Sequence, residues 1–212
     1  MEQNLKLSDT DGEPLDNPSV YRRLIGRLIY LTITRPDITY SVHILSQFMH
    51  NPLQPHYLAA LRLLRYLKGT PGKGILFPST GSLHLTGYCD SDWASYPMTR
   101  RFTSGFCTML GSCPISWKTK KQHIVARSSC EAEYRSMTLL CCELIWLKSL
   151  FHDLRIPHAQ PITLYCDNKV ALHITANPVF HERTKHIELD CHFVRDHIKA
   201  GLLKPSYLPT AV

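Results

Sequence analysis

The sequence predicts an α/β fold, a mixed five-stranded sheet with flanking helices, preceded by a small all-helical region. Three observations point there. Between residues 21 and 68 apolar side chains recur at helical spacing, as in Tyr21, Leu24, Ile25, Leu28 and Ile29. Beyond residue 80 the period drops to two, and Leu83, Leu85, Gly87 and Cys89 alternate with His84, Thr86, Tyr88 and Asp90. Between them Gly69-Thr70-Pro71-Gly72-Lys73-Gly74 breaks both patterns, as clustered glycine and proline do, and divides the chain into 1–74 and 75–212.

Each element follows from local chemistry. The first helix ends before Arg35-Pro36-Asp37, because proline restricts the residue ahead of it and itself suits a helix start. A second helix is expected over 36–49. A third starts near Pro55 and carries Leu58, Leu61, Leu64 and Leu67. Strands are expected over 83–90, 102–110 and 113–117, the last two joined by a tight turn at Gly111-Ser112. A long helix over 129–153, a strand over 162–166 and a short helix over 169–175 come next. Ile187, Cys191, Val194 and Ile198 give helical spacing within 184–200, and 202–208 closes the series as a fifth strand. Hairpin strands followed by alternating helices and strands make a sheet of mixed direction.

Composition narrows the function classes. Of 212 residues, 44% are hydrophobic and 19% charged, which is globular usage and excludes a disordered or membrane chain. The first sixteen residues lack the basic start and apolar stretch of a secretory signal, so an intracellular protein, cytoplasmic or nuclear, is expected. Nothing approaches the roughly 18 to 20 apolar residues of a membrane span, so no membrane partner is expected. The formal net charge of +7 favours a polyanion, since Lys and Arg displace counterions from phosphates. Eight cysteines without a Cys-x-x-Cys pair read as reduced, buried thiols. His181, His186, Cys191 and His192 crowd together, but at no recognised zinc spacing.

Three acids stand where strands end or helices begin, the usual place for chemistry on an open α/β sheet. Asp90 ends the first strand, and Asp92 projects the same way, so spacing does not choose between them. On the long helix Glu131 and Glu133 differ by about 200° of rotation, so only one can face a site. Ser128 and Glu131 fit a capping box, whereas Glu133 heads the apolar stripe Met137, Leu140, Leu144, Leu147 and Phe151. Asp167 follows a strand and precedes a helix, where a simple N-cap is the competing role. Clustered carboxylates repel unless a hard cation such as Mg²⁺ relieves them, and two such ions roughly 3.5–4 Å apart are suited to phosphodiester hydrolysis.

These segments resemble the C-terminal part of the Pol polyprotein of copia-type retrotransposons. The matching stretches in the first part are Tyr21-Arg-Arg-Leu-Ile-Gly-Arg-Leu-Ile-Tyr-Leu, Thr34-Arg-Pro-Asp-Ile and Leu64-Arg-Tyr-Leu-Lys-Gly-Thr. Later come Gly87-Tyr-Cys-Asp-Ser-Asp-Trp-Ala, Ser116-Trp-Lys-Thr-Lys-Lys-Gln, Ser128-Ser-Cys-Glu-Ala-Glu-Tyr, Tyr165-Cys-Asp-Asn and Arg183-Thr-Lys-His-Ile-Glu. The resemblance implies a reverse transcriptase thumb/connection remnant in 1–74 and a ribonuclease H-like domain in 75–212 that lacks its final helix. It implies Asp90, Glu133 and Asp167 as metal-holding catalytic residues, with two Mg²⁺ or Mn²⁺ ions in an intact site. The implied partners are an RNA–DNA hybrid, whose RNA strand would be hydrolysed during reverse transcription, and the polymerase region of the parent polyprotein. Lys118, Lys120, Lys121 and Arg127, between the third strand and the glutamate helix, are the candidate nucleic-acid contacts. The Tyr-x-Asp-Asp pair of the polymerase is absent, so DNA synthesis is not expected. The family's fourth carboxylate lies beyond residue 212, with Glu188 or Asp190 as the available substitutes. The alternative expectation is therefore a truncated, catalytically impaired fragment that at most binds nucleic acid.

Overall fold

The computed structural model describes residues 7–95, 99–177 and 187–209. Two compact units emerge, Met1–Leu76 and Phe77–Val212.

Unit 1 is helical. Asn17 accepts a hydrogen bond from the Ser19 amide and Pro18 opens α1 (Pro18–Leu31), a pairing that satisfies one helix-start donor and removes another. Residues 36–49 do not form the single helix expected. Pro36–Ile38 is a 3₁₀ turn, α2 spans Thr39–Ser46, and the amides of Gln47, Phe48 and Met49 bond three residues back in tightening turns. Asn51-Pro52 lies ahead, where proline would cost a helix a hydrogen bond, so the chain leaves early. It then enters α3 (Gln54–Gly69). Tyr21, Ile25, Leu28, Val42, Leu45, Ala60 and Leu63 form the core, and the buried Tyr21 hydroxyl donates to the Leu45 carbonyl at 2.7 Å.

Unit 2 is a five-stranded sheet with order β3-β2-β1-β4-β5. β1 (Leu85–Asp92), β2 (Thr103–Leu110) and β3 (Cys113–Lys121) run antiparallel, while β4 (Ile162–Cys166) and β5 (Leu203–Tyr207) continue parallel to β1. α4 (Ser129–Asp153), α5 (Lys169–Ala176) and α6 (Glu188–Lys199) pack their apolar residues with Leu85, Ile162, Leu164 and Leu203. This is the ribonuclease H-like mixed sheet with flanking helices that the sequence motifs imply.

Two glycines set its geometry. Gly111 sits at φ +58 in the β2–β3 turn, where a side chain would also collide with the Ser82 carbonyl. A Cβ at Gly87 would come within 2.7 Å of Leu140 Cδ1, so its absence lets α4 lie close on β1. The structure also moves some boundaries. β1 starts and ends two residues later than expected, and β3 continues to Lys121 because Thr103 to Phe106 pair with Lys121 to Lys118. The helix expected over 184–200 is described from Glu188 onward, and 184–186 lie outside the described residues. No described helix is long and apolar enough to cross a membrane.

Candidate functional site

The acids gather at the C-terminal ends of the parallel strands β1 and β4. The register pairs Thr86 with Thr163, Gly87 with Leu164 and Tyr88 with Tyr165. Continued by two residues, it sets Cys89 beside Cys166 and Asp90 beside Asp167.

α4 brings Glu133 to the same place. Ser128 caps this helix, its hydroxyl accepting from the Glu131 amide at 3.2 Å. The Glu131 carboxylate accepts from the Arg127 amide at 2.7 Å and pairs with Arg135 at 3.2 Å. The return arm of the expected box thus reaches Arg127, one residue before the cap. Glu131 is occupied in holding the helix start, and Glu133 is left to face the sheet.

Glu133 is only 6% exposed. Its Oε1 accepts from the Ser91 amide at 3.0 Å, and its Oε2 has no hydrogen-bond partner. The same Ser91 amide donates to Asp90 Oδ1 at 2.9 Å, so one N–H bridges the two carboxylates. Oxygens of Glu133 and Asp167 and the Cys166 sulfur lie within 4.8 Å of one another; Asp90 stands outside that tightest group. Asp92 makes no such bridge.

Electrostatics follow from this crowding. Burial, then Cys166, Asp90 and Asp167, push Glu133 up to about 9, against a smaller opposing effect of the Ser91 bond. Burial also raises Asp90, and the Asp167 and Asp92 charges add to it. Near neutral pH Glu133 therefore holds a proton unless positive charge arrives. The donor set fits a divalent cation: Glu133 keeps a buried oxygen without a partner close to Asp167, and a cation bound between them would satisfy it. Asp167 does not cap α5, because Asn168 Oδ1 accepts from the Ala171 amide at 3.0 Å.

Other candidates are placed differently. Glu188 lies beside His192 at 3.9 Å, and Asp190 pairs with Arg135 at 3.5 Å, so neither substitutes as a fourth acid in the group. His181 and His186 lie outside the described residues; Cys191 is buried in the core, whereas His192 on the adjacent helical position is exposed. Lys118, Lys120 and Lys121 belong to β3 and not to a loop after it. Strand alternation turns Lys118 and Lys120 to one face and Lys121 to the other, while Arg127 is exposed in the segment before α4. Asp90 pairs with Gly105 and Gly105 with Thr119, two strand spacings or roughly 10 Å away, so Lys121 shares the Asp90 face of the sheet, whereas Lys118 and Lys120 turn to the face that carries α4 and Glu133.

Three contributors escaped sequence reasoning: the Ser91 amide, the Cys166 sulfur and Trp93. Trp93 Nε1 donates to the Ala126 carbonyl at 3.0 Å, tying the end of β1 to the segment before α4. The sequence signal for them was their place in the motif stretches around Asp90 and Asp167, Asp90-Ser91-Asp92-Trp93 and Cys166-Asp167.

No protein-family model matches the chain. It is 46% identical over 205 residues, 97% of its length, to the retrovirus-related Pol polyprotein from transposon RE1 of Arabidopsis thaliana. It spans only 14% of that polyprotein's length. Among solved structures, the foamy viral protease-reverse transcriptase dRH in complex with double-stranded DNA matches 96% of the chain, over 33% of its own length, at 12% identity and TM-score 0.51. The N-terminal RNase H domain of rv2228c from Mycobacterium tuberculosis covers 60% of the chain, over 84% of the matched chain, at 12% identity and TM-score 0.41.

Proposed function

Because the chain belongs to the retrovirus-related Pol polyproteins of transposons, we propose that its second unit is the ribonuclease H of a copia-type element, hydrolysing the RNA strand of RNA–DNA hybrids. The first unit is then the thumb/connection remnant of the reverse transcriptase. The observation that carries the reading is Glu133: a buried carboxylic acid with one empty oxygen, facing Asp167 and bridged to Asp90 through one amide.

Asp90, Glu133 and Asp167 would hold Mg²⁺ or Mn²⁺. A divalent cation there supplies the charge that activates water and stabilises the leaving oxygen of a phosphodiester. The chain's own groups do the positioning. Ser91 fixes the spacing of Asp90 and Glu133, Asn168 takes the capping role of α5, and Lys118, Lys120, Lys121 and Arg127 offer positive charge for phosphates.

The test is cleavage of an RNA–DNA hybrid by the purified chain in Mg²⁺, beside Asp90→Asn. The expected result is cutting by the wild type and a loss of at least about 100-fold in the variant, the scale set by disturbed metal sites. Equal rates would remove Asp90 from the site. A second reading, an impaired fragment that binds hybrid without cutting it, is favoured by the engagement of Glu188 and Asp190 elsewhere. Retained hybrid binding with no cleavage by the wild type would select it.

A further inference from the structure

The acid pocket contains a donor for which magnesium-dependent hydrolysis has no need. Cys166 is 1% exposed, and its sulfur lies within 4.8 Å of the Glu133 and Asp167 ligand oxygens. The sulfur is held in position: the Asn168 amide donates to it at 3.4 Å, while the Cys89 thiol on the neighbouring strand donates to the Tyr165 carbonyl at 3.4 Å and does not compete for it. Glu133, 6% exposed, adds an oxygen with no partner.

Magnesium takes oxygen ligands in octahedral geometry, whereas thiolate selects softer ions such as zinc. Zinc binds cysteine sulfur at about 2.3 Å and carboxylate oxygen at about 2.0–2.2 Å, tetrahedrally, which puts neighbouring donors roughly 3.5 Å apart. Three donors within 4.8 Å of one another lie close to that spacing.

We propose that Glu133, Cys166 and Asp167 form a binding site for a soft divalent cation, zinc above all, which competes with magnesium for the shared acids. The site uses the pocket of the proposed nuclease and stands whether or not hybrid is cut. Zinc bound there occupies two of the three acids and blocks the magnesium-loaded state.

Cobalt(II) is the probe, added to the full reduced chain and followed by thiolate-to-cobalt charge-transfer absorption. The wild type gives the band, and stoichiometric zinc bleaches it while magnesium does so only in large excess. Cys166→Ala and Cys166→Ser, each scored on samples whose circular dichroism matches the wild type, lose the band. Glu133→Gln weakens cobalt binding on the order of 100-fold, and Cys142→Ser, an exposed thiol away from the pocket, retains it. No band in the wild type, or a band surviving in both Cys166 variants, overturns the site. A chain that binds cobalt through Cys166 but neither cuts nor binds hybrid upholds this inference and removes the nuclease reading. Hybrid cleavage in magnesium with no sulfur band does the reverse.

Discussion

His56 and Glu133 are both buried ionisable side chains, one in each unit, and their surroundings differ in kind. His56 is fully enclosed and stacks on Phe48 with ring centroids 3.9 Å apart. Its Nδ1 accepts from the Leu53 amide at 2.9 Å, which leaves the ring proton on Nε2 to donate to the Ser8 carbonyl at 2.8 Å. Burial lowers its pKa, so the ring is held neutral with both nitrogens satisfied. Glu133 has one oxygen satisfied, one empty, and two acids beside it. A buried polar group that is fully paired stabilises the local fold; one that is half-paired among like charges costs stability. Such a local conflict is where function is expected to reside.

The comparison can be broken in graded ways. The largest stability effect is expected from Leu140→Ala, which removes a fully buried side chain that seats α4 on β1. It should cost about 2–5 kcal/mol in denaturant unfolding. A cost below about 1 kcal/mol would mean that α4, and Glu133 with it, is not fixed by this packing. His56→Ala should cost about 1–3 kcal/mol, because the Leu53 amide and Ser8 carbonyl lose their partner. The same variant should leave the response to cations untouched, and a changed response would dissolve the distinction between a structural and a functional buried group. The smallest effect belongs to Lys118→Ala with Lys120→Ala. Hybrid affinity should fall uniformly across sequences, and the slope of log affinity against log salt should shrink by up to about 2. An unchanged salt slope would return both lysines to the role of guarding an exposed sheet edge.

How much of this was readable beforehand varies by element, for physical reasons. α4 and β4 occupy the residues expected for them, since Ser128 supplies an explicit cap and 162–166 is a short apolar run between loop residues. β3 was read too short because its last residues, Lys118-Thr119-Lys120-Lys121, carry the charges of an edge strand and so look like a loop. The helix over 36–49 was read too long because apolar spacing does not report where hydrogen bonding tightens ahead of Pro52. Helix geometry separated Glu131 from Glu133, and the structure gives Glu131 the capping contacts. Spacing alone does not separate Asp90 from Asp92, a choice that only the family motif makes, because the Ser91 bridge to Glu133 forms only once α4 lies on the sheet. Cys166 was legible as a buried thiol and illegible as a donor, since its approach to Glu133 depends on the parallel pairing of strands distant in sequence.

The measurement that bears most directly on Glu133 is unfolding stability from pH 4.5 to 9, with and without Mg²⁺, for the wild type and Glu133→Gln. A carboxyl raised from its ordinary 4.5 to about 9 keeps its proton in the folded state and loses it in the unfolded one across that window. Wild-type stability should therefore fall as pH rises, by at most about 1.4 kcal/mol per pH unit from this group. Mg²⁺ should recover much of the loss by binding the ionised acids, and Glu133→Gln should flatten both responses. Identical pH slopes in the two proteins, with no stabilisation by Mg²⁺ in either, would contradict the account of Glu133 as a buried acid poised for a cation.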